Sequence, residues 1–349
     1  MMNIHKYKKH ILAYGFYLTF FYSSAGLAQE NLNCATEPIA EVQKHTSIKK
    51  RKTRTAPQKQ FIRRKPSLKA VQLPQLPPTT RLLMSTGDVA VLNSFGQVKS
   101  PLKDDGGSNL MDGDRIRTGE QSFATLQTKD DTFLTLASNT DLVLSDIKHS
   151  PIRLELAQGN VESLVTKQKP TERKSNYQIK TPVVTLSVRG TRFKVTHSLN
   201  NDSTQVSVED GSVAAQLRQV CAQPVLLAEG EGAVASATDI KVNPMLPEPE
   251  QIVIAPVVRE KSLKLYANPM SKAVLYHAQA SLDESAMLVV KEVYSASPEL
   301  VFEGLDNGYY FIRLNAIDAD GIGGRSDIRT VLYQPPPNSD LWLEDFLKP

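Results

Sequence analysis

The chain has 349 residues, of which 40% are hydrophobic, and it contains 21 prolines and 18 glycines. This length allows two domains with connecting segments, and the proline and glycine content suits a turn-rich β protein better than a helical one. Six histidines and two cysteines leave little material for a metal centre or a nucleophilic active site. The formal net charge of +4 conceals a basic segment attached to an acidic remainder.

Residues 1–28 have the pattern of a secretory signal peptide. Basic residues at positions 6, 8, 9 and 10 precede an uncharged apolar run, Ile11–Phe21, and small residues follow up to Ala28. We expect cleavage after Ala28, a periplasmic or secreted location, and no transmembrane span in the mature chain. An uncleaved anchor over 11–28 is the alternative, although its serine and glycine residues weaken a span that needs about 20 mostly apolar residues.

Residues 29–80 lack a periodic apolar pattern, and we predict a disordered basic arm that ends in a proline-rich spacer. Eleven Lys/Arg and no acid lie between 44 and 69. When these eleven and the three in the signal peptide are subtracted from the 41 basic residues, 27 remain against 37 acidic residues. The rest of the chain is therefore acidic. The residues expected to contact an anionic partner are Lys49, Lys50, Arg51, Lys52, Arg54, Arg63, Arg64 and Lys65.

Three partners suit such an arm: anionic lipid or surface polymer, cell wall, and nucleic acid. Export argues against nucleic acid. The alternative is a solvated linker that lies across the acidic body of the chain.

Residues 81–242 are predicted to form a β domain, because apolar residues recur with period two. Ile152, Leu154 and Leu156 alternate with charged residues, and Val184–Val188 shows the same alternation. Asp/Asn/Gly turn signals separate the short runs, which is typical of an all-β sandwich or solenoid-like stack.

A series of motifs runs through this block in a fixed order. It reads GDV at 87–89, GDRIRTG at 113–119, LAQGNV at 156–161, VRGTRFKV at 188–195 and VEDGSV at 208–213. Over about 87–215 the chain therefore resembles FecR-type domains. The resemblance singles out Gly113, Asp114, Thr118, Gly119, Gly159, Arg189, Gly190, Thr191, Phe193 and Gly211. We expect these residues to hold the fold together; the alternative for Arg189 is a donor fork for a carboxylate or phosphate.

A Pro/Glu stretch, 243–250, is predicted to be a linker to a second β domain at 251–334. There GLDNGYYFIRL at 304–314 resembles the late strands of a fibronectin type III or other Ig-like sandwich, in which a tyrosine marks the corner before a core strand. A tail, 335–349, carries the single tryptophan, Trp342, which docks either on this chain or on a partner.

No catalytic, metal or cofactor site is predicted. The histidines are not at metal-ligand spacing, and paired acids such as Asp130-Asp131, Glu209-Asp210 and Asp318/Asp320 fall at expected turns. Cys34 and Cys221 could form a disulfide in an oxidising compartment, and two unpaired thiols are the alternative.

We expect a non-catalytic interaction or scaffold module of the cell envelope, whose partner is an envelope protein, the cell wall or an anionic surface polymer. The alternative is a sensor or regulator that acts through a partner. FecR proteins relay signals to a sigma factor, but no anti-sigma segment precedes the FecR-like block here. An enzyme is the third and least favoured hypothesis.

Overall fold

The computed structural model describes residues 79–99, 108–166 and 177–336. Within these ranges the chain forms 23 β-strands and no helix, which confirms the all-β prediction. Accordingly, no helix in this part of the chain is long and apolar enough to cross a membrane. The predicted signal peptide, nearly all of the basic arm and most of the tail lie outside the described residues.

The first sixteen strands belong to one large sheet. They are β1 (Arg81–Thr86), β2 (Val89–Leu92), β3 (Ser108–Asn109), β4 (Arg115–Thr118), β5 (Phe123–Gln127), β6 (Phe133–Leu136), β7 (Asp141–Asp146), β8 (Ile152–Leu164), β9 (Tyr177–Lys180), β10 (Val184–Val188), β11 (Arg192–Ser198), β12 (Ser203–Asp210), β13 (Ser212–Leu217), β14 (Val225–Ala228), β15 (Glu231–Ala235) and β16 (Ile240–Pro244).

The long strand β8 joins the two halves of this sheet. Its first half pairs with β7 and, in parallel, with β9, whereas its second half pairs with β6 and β11. Gly159 lies where the partners change and has a φ of +92°. That value is readily adopted by glycine but not by residues with a Cβ. Glycine at this position therefore lets β8 change its partners from β7 and β9 to β6 and β11.

The alternating apolar residues of both halves meet in a shared core. Leu154, Ile179 and Leu186 come from one half, and Val161 and Val195 come from the other. Each such side chain contributes about 1.5–3 kcal/mol when it is removed from water. Because β11 buries every second residue, its intervening side chains, including Arg192 and Lys194, lie on the opposite face of the strand.

Seven further strands build the second domain. They are β17 (Val257–Val258), β18 (Ser262–Tyr266), β19 (Leu275–Ser281), β20 (Val289–Ser295), β21 (Glu299–Glu303), β22 (Gly308–Ile317) and β23 (Gly323–Tyr333). A five-stranded sheet has the order β17-β23-β22-β19-β20, and β18 and β21 form a separate pair. Leu263, Phe302, Ile312 and Leu314 are among the residues that fill the core of this domain.

The corner predicted before β22 is present in the structure. Tyr310 donates its hydroxyl hydrogen to the carbonyl oxygen of Asp306 at 2.9 Å, as in the tyrosine corner of immunoglobulin domains. The assignment of this domain to the Ig-like or fibronectin type III class stays a prediction.

The predicted linker at 243–250 begins inside a strand. β16 pairs with β15 up to Pro244, and the amide of Met245 donates to Gly230 at 2.8 Å. Leu246 is buried in the core of the second domain. The prolines and acids of residues 243–250 suggest an exposed connector, but Met245 and Leu246 bring this segment into contact with both domains.

Candidate functional site

The residues of the GDRIRTG motif make internal contacts around β4. The Asp114 carboxylate is buried, accepts a hydrogen bond from the amide of Met111 at 2.8 Å and pairs with Lys99. Thr118 donates to the carbonyl oxygen of Ala137 at 2.6 Å and accepts from the amide of Thr140 at 2.9 Å. The two contacts of Thr118 join β4 to the turn between β6 and β7.

The glycines of the motif series lie where a neighbour leaves no room. A Cβ on Gly113 would lie 2.9 Å from the Ser94 Cβ, and one on Gly119 would lie 3.2 Å from the Asp88 Cβ. Gly211, with a φ of +88°, would place a Cβ 2.8 Å from the carbonyl oxygen of Gly190.

The VRGTRFKV motif forms the turn from β10 into β11. Thr191 donates to the carbonyl oxygen of Ser212 at 2.9 Å, and Gly190 has a φ of +57°. Phe193 is buried and meets Tyr177 edge-on, with ring centroids 6.2 Å apart. Arg189 is half-buried. The structural role of these residues stays a prediction. The contacts described here would support it, because they hold neighbouring strands and turns together.

The other predicted site residues fall largely outside the described ranges. The eight basic residues expected to contact an anionic partner are not among the described residues, and neither is Cys34. Cys221 lies in the exposed connection between β13 and β14. The Cys34–Cys221 pairing stays a prediction.

A group of paired charges lies where the second domain meets the first. Arg313 of β22 donates to Glu162 of β8 at 2.6 Å and to Glu209 of β12. Arg192 of β11 contacts the same two carboxylates, at 2.6 Å and 2.9 Å. Ser326 of β23 closes the group by donating to Glu209 at 2.6 Å. We call these five residues the interdomain network.

Strand alternation explains why these charges meet. In β22 the side chains of Ile312 and Leu314 enter the core of the second domain, so that Arg313 lies on the opposite face of the sheet. In β11 the same alternation sets Arg192 opposite the core residue Phe193. Two polar strand faces are therefore stacked on each other, and their charges pair across the junction.

A second polar group adjoins the network. His277 of β19 lies 3.0 Å from the Glu292 carboxylate and 3.2 Å from the Asn315 side-chain oxygen. Glu292 also accepts a hydrogen bond from Ser138 of the first domain at 3.0 Å. The His277 ring stacks on Tyr294, with centroids 4.3 Å apart.

Burial and charge act in opposite directions on these groups. Burial alone would raise the pKa of Glu162, but Arg313 and Arg192 bring that pKa down to about 2. Burial would also raise the pKa of Glu292, but the hydrogen bond to His277 outweighs it, and the pKa is lowered. The pKa of His277 is lowered by burial and by nearby Lys194. Glu162 and Glu292 are therefore ionised at neutral pH, while His277 is neutral.

The space enclosed by these groups is too small for a substrate. The cavity bounded by Glu162, Glu209, His277 and Arg313 has a volume of about 10 Å³, which is roughly the room that one water molecule occupies. Among the described residues, no three His, Cys, Asp or Glu side chains are grouped to hold a metal ion. The charges satisfy one another and fix the two domains together.

Apolar and backbone contacts extend this junction. The carbonyl oxygen of Met287, in the turn between β19 and β20, accepts hydrogen bonds from Thr125 at 2.8 Å and Thr135 at 2.5 Å. Val289 packs in one cluster with Phe123 of the first domain. The Asp283 carboxylate holds the turn by accepting the Met287 amide at 2.9 Å.

An open groove of about 1260 Å³ lies between β20 and β21. Three large apolar side chains that line it are exposed: Leu282 by 48%, Tyr294 by 45% and Tyr309 by 66%. Thr86, at the end of β1, also borders the groove.

Sequence reasoning did not identify the interdomain network. Glu209 was expected at a turn beside Asp210, but it lies in strand β12 because the hairpin turns at Gly211. His277, one of the histidines without metal-ligand spacing, is a buried strand residue. The available signal is a set of charged residues on the outward face of β11, β12 and β22, but alternation does not say what covers that face.

Residues 114–214 match the family model described as FecR protein. This confirms the resemblance indicated by the motif series, over a segment that begins at Asp114 and ends within β13. No curated protein matches the chain.

Several solved structures are similar over part of the chain. A candidate anti-sigma factor from Parabacteroides distasonis ATCC 8503 matches at 18% identity with a TM-score of 0.33, covering 37% of this chain and 59% of that chain. The chain therefore spans less than two thirds of that protein. The Endo-D glycoside hydrolase domain from Streptococcus pneumoniae R6 matches at 9% identity with a TM-score of 0.23, covering 60% and 33%. Similarities this low carry no argument about activity.

Proposed function

We propose, from the premise that residues 114–214 form a FecR domain, that this protein is a non-catalytic interaction module of the cell envelope. The observation that carries the proposal is the pairing of Arg313 with Glu162 and Glu209. These paired charges join one domain to the other. Its enclosed cavity of about 10 Å³ leaves no room for a reacting molecule.

A rigid two-domain body suits a binding role. A partner that contacts both domains meets a surface already in its final arrangement, so that less conformational entropy is lost on binding. The partners we propose are an envelope protein, the cell wall or an anionic surface polymer. Nucleic acid is not proposed, because the chain begins with a predicted export signal.

A second candidate function is sensing or regulation through a partner. It is favoured by the FecR match over residues 114–214, because FecR-type domains act in envelope signalling. The same rigid body would then report the state of a receptor or a membrane relay, and would not tether a polymer.

Crosslinking of the full chain in intact cells tests the proposal. A photoreactive amino acid replaces Lys49, one of the basic residues expected to contact an anionic partner, and a control places it at Val253, which is 65% exposed. We expect capture of an envelope protein or wall fragment from position 49 in excess over position 253. A receptor or membrane relay as the captured partner would favour sensing. Equal capture at both positions, or chemical turnover of a captured polymer by the purified chain, would contradict the proposal.

A further inference from the structure

The groove between β20 and β21 is bordered by two strand edges. β20 is the last strand of the five-stranded sheet and pairs with β19, while β21 pairs with β18 in the separate two-stranded sheet. Residues from Val290 to Ser295 of β20 and from Glu299 to Val301 of β21, with Glu303, line the space between these edges. Unpaired strand edges offer backbone donors and acceptors to an added strand.

The side chains of the groove favour a segment that is both apolar and basic. Tyr294, Tyr309 and Leu282 supply exposed apolar surface. Glu299, Glu303 and Asp306 line the same space, and Lys291 is the single cation among the described residues that border it. The Lys291 ammonium already donates to the carbonyl oxygen of Glu303.

We propose that this groove holds Gln60–Lys65 of the chain's own basic arm as an added β-strand beside β20. The segment reads QFIRRK. Because strand side chains alternate between two faces, Phe61 and Ile62 supply one apolar side chain to each face. The three cations that follow alternate in the same way and bring positive charge to a groove whose exposed charges are mostly acidic. Pro66 comes next and ends the pairing, since proline cannot donate to the ladder.

The tether is long enough for this contact. β1 starts at Arg81 and reaches the groove at Thr86, so its first residue lies roughly 17 Å from the groove at about 3.3 Å per residue. The segment between Lys65 and Arg81 can extend to about 50 Å. The arm can therefore return along β1 and enter the groove without strain.

Hydrogen exchange of backbone amides tests the proposal on the full chain. In the Phe61→Ser/Ile62→Ser variant we expect the edge amides of β20 to exchange about 10-fold faster than in the parent protein, because an added strand protects them. Ile48→Ser, in the same arm but outside the segment, is the matched control and should leave β20 unchanged. Equal exchange of β20 in the parent and in the double variant would overturn the proposal. Protection that rises with protein concentration would also overturn it, because the strand would then come from a second copy.

Charge reversal gives a second, independent measurement. Glu299→Lys/Glu303→Lys should speed exchange of β20, and adding Arg63→Glu/Arg64→Glu should restore the slow exchange. Glu260→Lys, an exposed acid outside the groove, is the control. Failure of the second pair to rescue the first would refute the contact between arm and groove, whereas the proposed envelope binding would still be decided by the crosslinking experiment.

Discussion

Gly159 shows how a single residue can determine the course of a strand. Its φ of +92° is strained for residues with a Cβ, and a Cβ there would lie 2.8 Å from the carbonyl oxygen of Asn139 and closer still to Thr140. Both neighbours belong to the backbone of an adjoining turn, so neither can yield without moving a strand. Gly96 has a similar φ of +77° but no atom within 4 Å of the same position.

Gly159→Ala should therefore cost far more stability than Gly96→Ala. We expect a loss of about 1 kcal/mol at position 96 from backbone strain alone. At position 159 the clash adds to this strain, and we expect a loss of about 3 kcal/mol or more. Urea unfolding of both variants measures the difference. Equal losses would show that the turn beside β8 relaxes to accept the methyl group.

His277 makes the stability of the protein depend on pH. Its pKa in the folded protein lies below the ordinary value of 6.5, so the unfolded chain binds a proton at pH values where the folded protein does not. The contribution is complete above pH 6.5 and is lost as the pH falls below that value. Glu162, with a pKa of about 2 against an ordinary 4.5, adds a second loss between those two values.

Replacing His277 should make the protein less sensitive to mild acid. We expect His277→Gln to be less stable than the parent at pH 7.5, but to show a smaller fall in the free energy of unfolding between pH 7 and 5, since the titrating group is gone. His149→Gln, at an exposed position, is the control. A slope unchanged by His277→Gln would assign the acid sensitivity to other groups.

At the scale of the elements, the ion pairs that join β8, β11 and β12 to β22 should contribute to the stability of the protein. Arg313→Met leaves the buried Glu162 with Arg192, and Glu209 with Arg192 and Ser326. Loss of one partner of a buried ion pair costs about 3–5 kcal/mol. Arg329→Met, which breaks a pair between β23 residues with the arginine half exposed, should cost less than about 1 kcal/mol.

A double-mutant cycle separates pairing from simple loss of packing. Glu162→Gln combined with Arg313→Met should be less destabilising than the sum of the single changes, by about 1–3 kcal/mol, because the two groups contact each other. Additive losses would mean that the junction is held by the apolar contacts around Met287 and not by charge.

The strands themselves could be predicted from the sequence far better than their packing. Ile152, Leu154 and Leu156 are buried, as their alternation indicates, and Tyr310 donates the hydrogen bond of a corner before the core strand, as the segment 304–314 suggests. The junction could not be predicted in this way. A polar residue on the outward face of a strand is predicted from the sequence to be solvent-exposed. Because Arg313 is separated from Glu162 by 151 positions, the sequence around either residue does not indicate its partner.

On the scale of the whole molecule, a basic arm is attached to a body in which acids outnumber bases. If the arm mediates attachment, replacing Lys49, Lys50, Arg51, Lys52 and Arg54 by glutamine should weaken the association of the protein with envelope fractions at low salt. Raising the salt should release the parent protein as well, because screening acts over about 8–10 Å. Lys261→Gln/Lys264→Gln/Lys272→Gln, at exposed positions of the body, controls for loss of positive charge elsewhere. Association that persists without the arm charges would assign attachment to the body.

The antiparallel pairing of β1 with β5 has a mechanical consequence. The arm enters the body at Arg81, the residue paired with Gln127, and the ladder continues to the pair Thr86 and Phe123. Hydrogen bonds in such a ladder run perpendicular to the strands, so tension pulled along β1 by an anchored arm loads them together in shear and not one after another. An envelope under strain would therefore pull on this protein at one of the places where its backbone resists extension best.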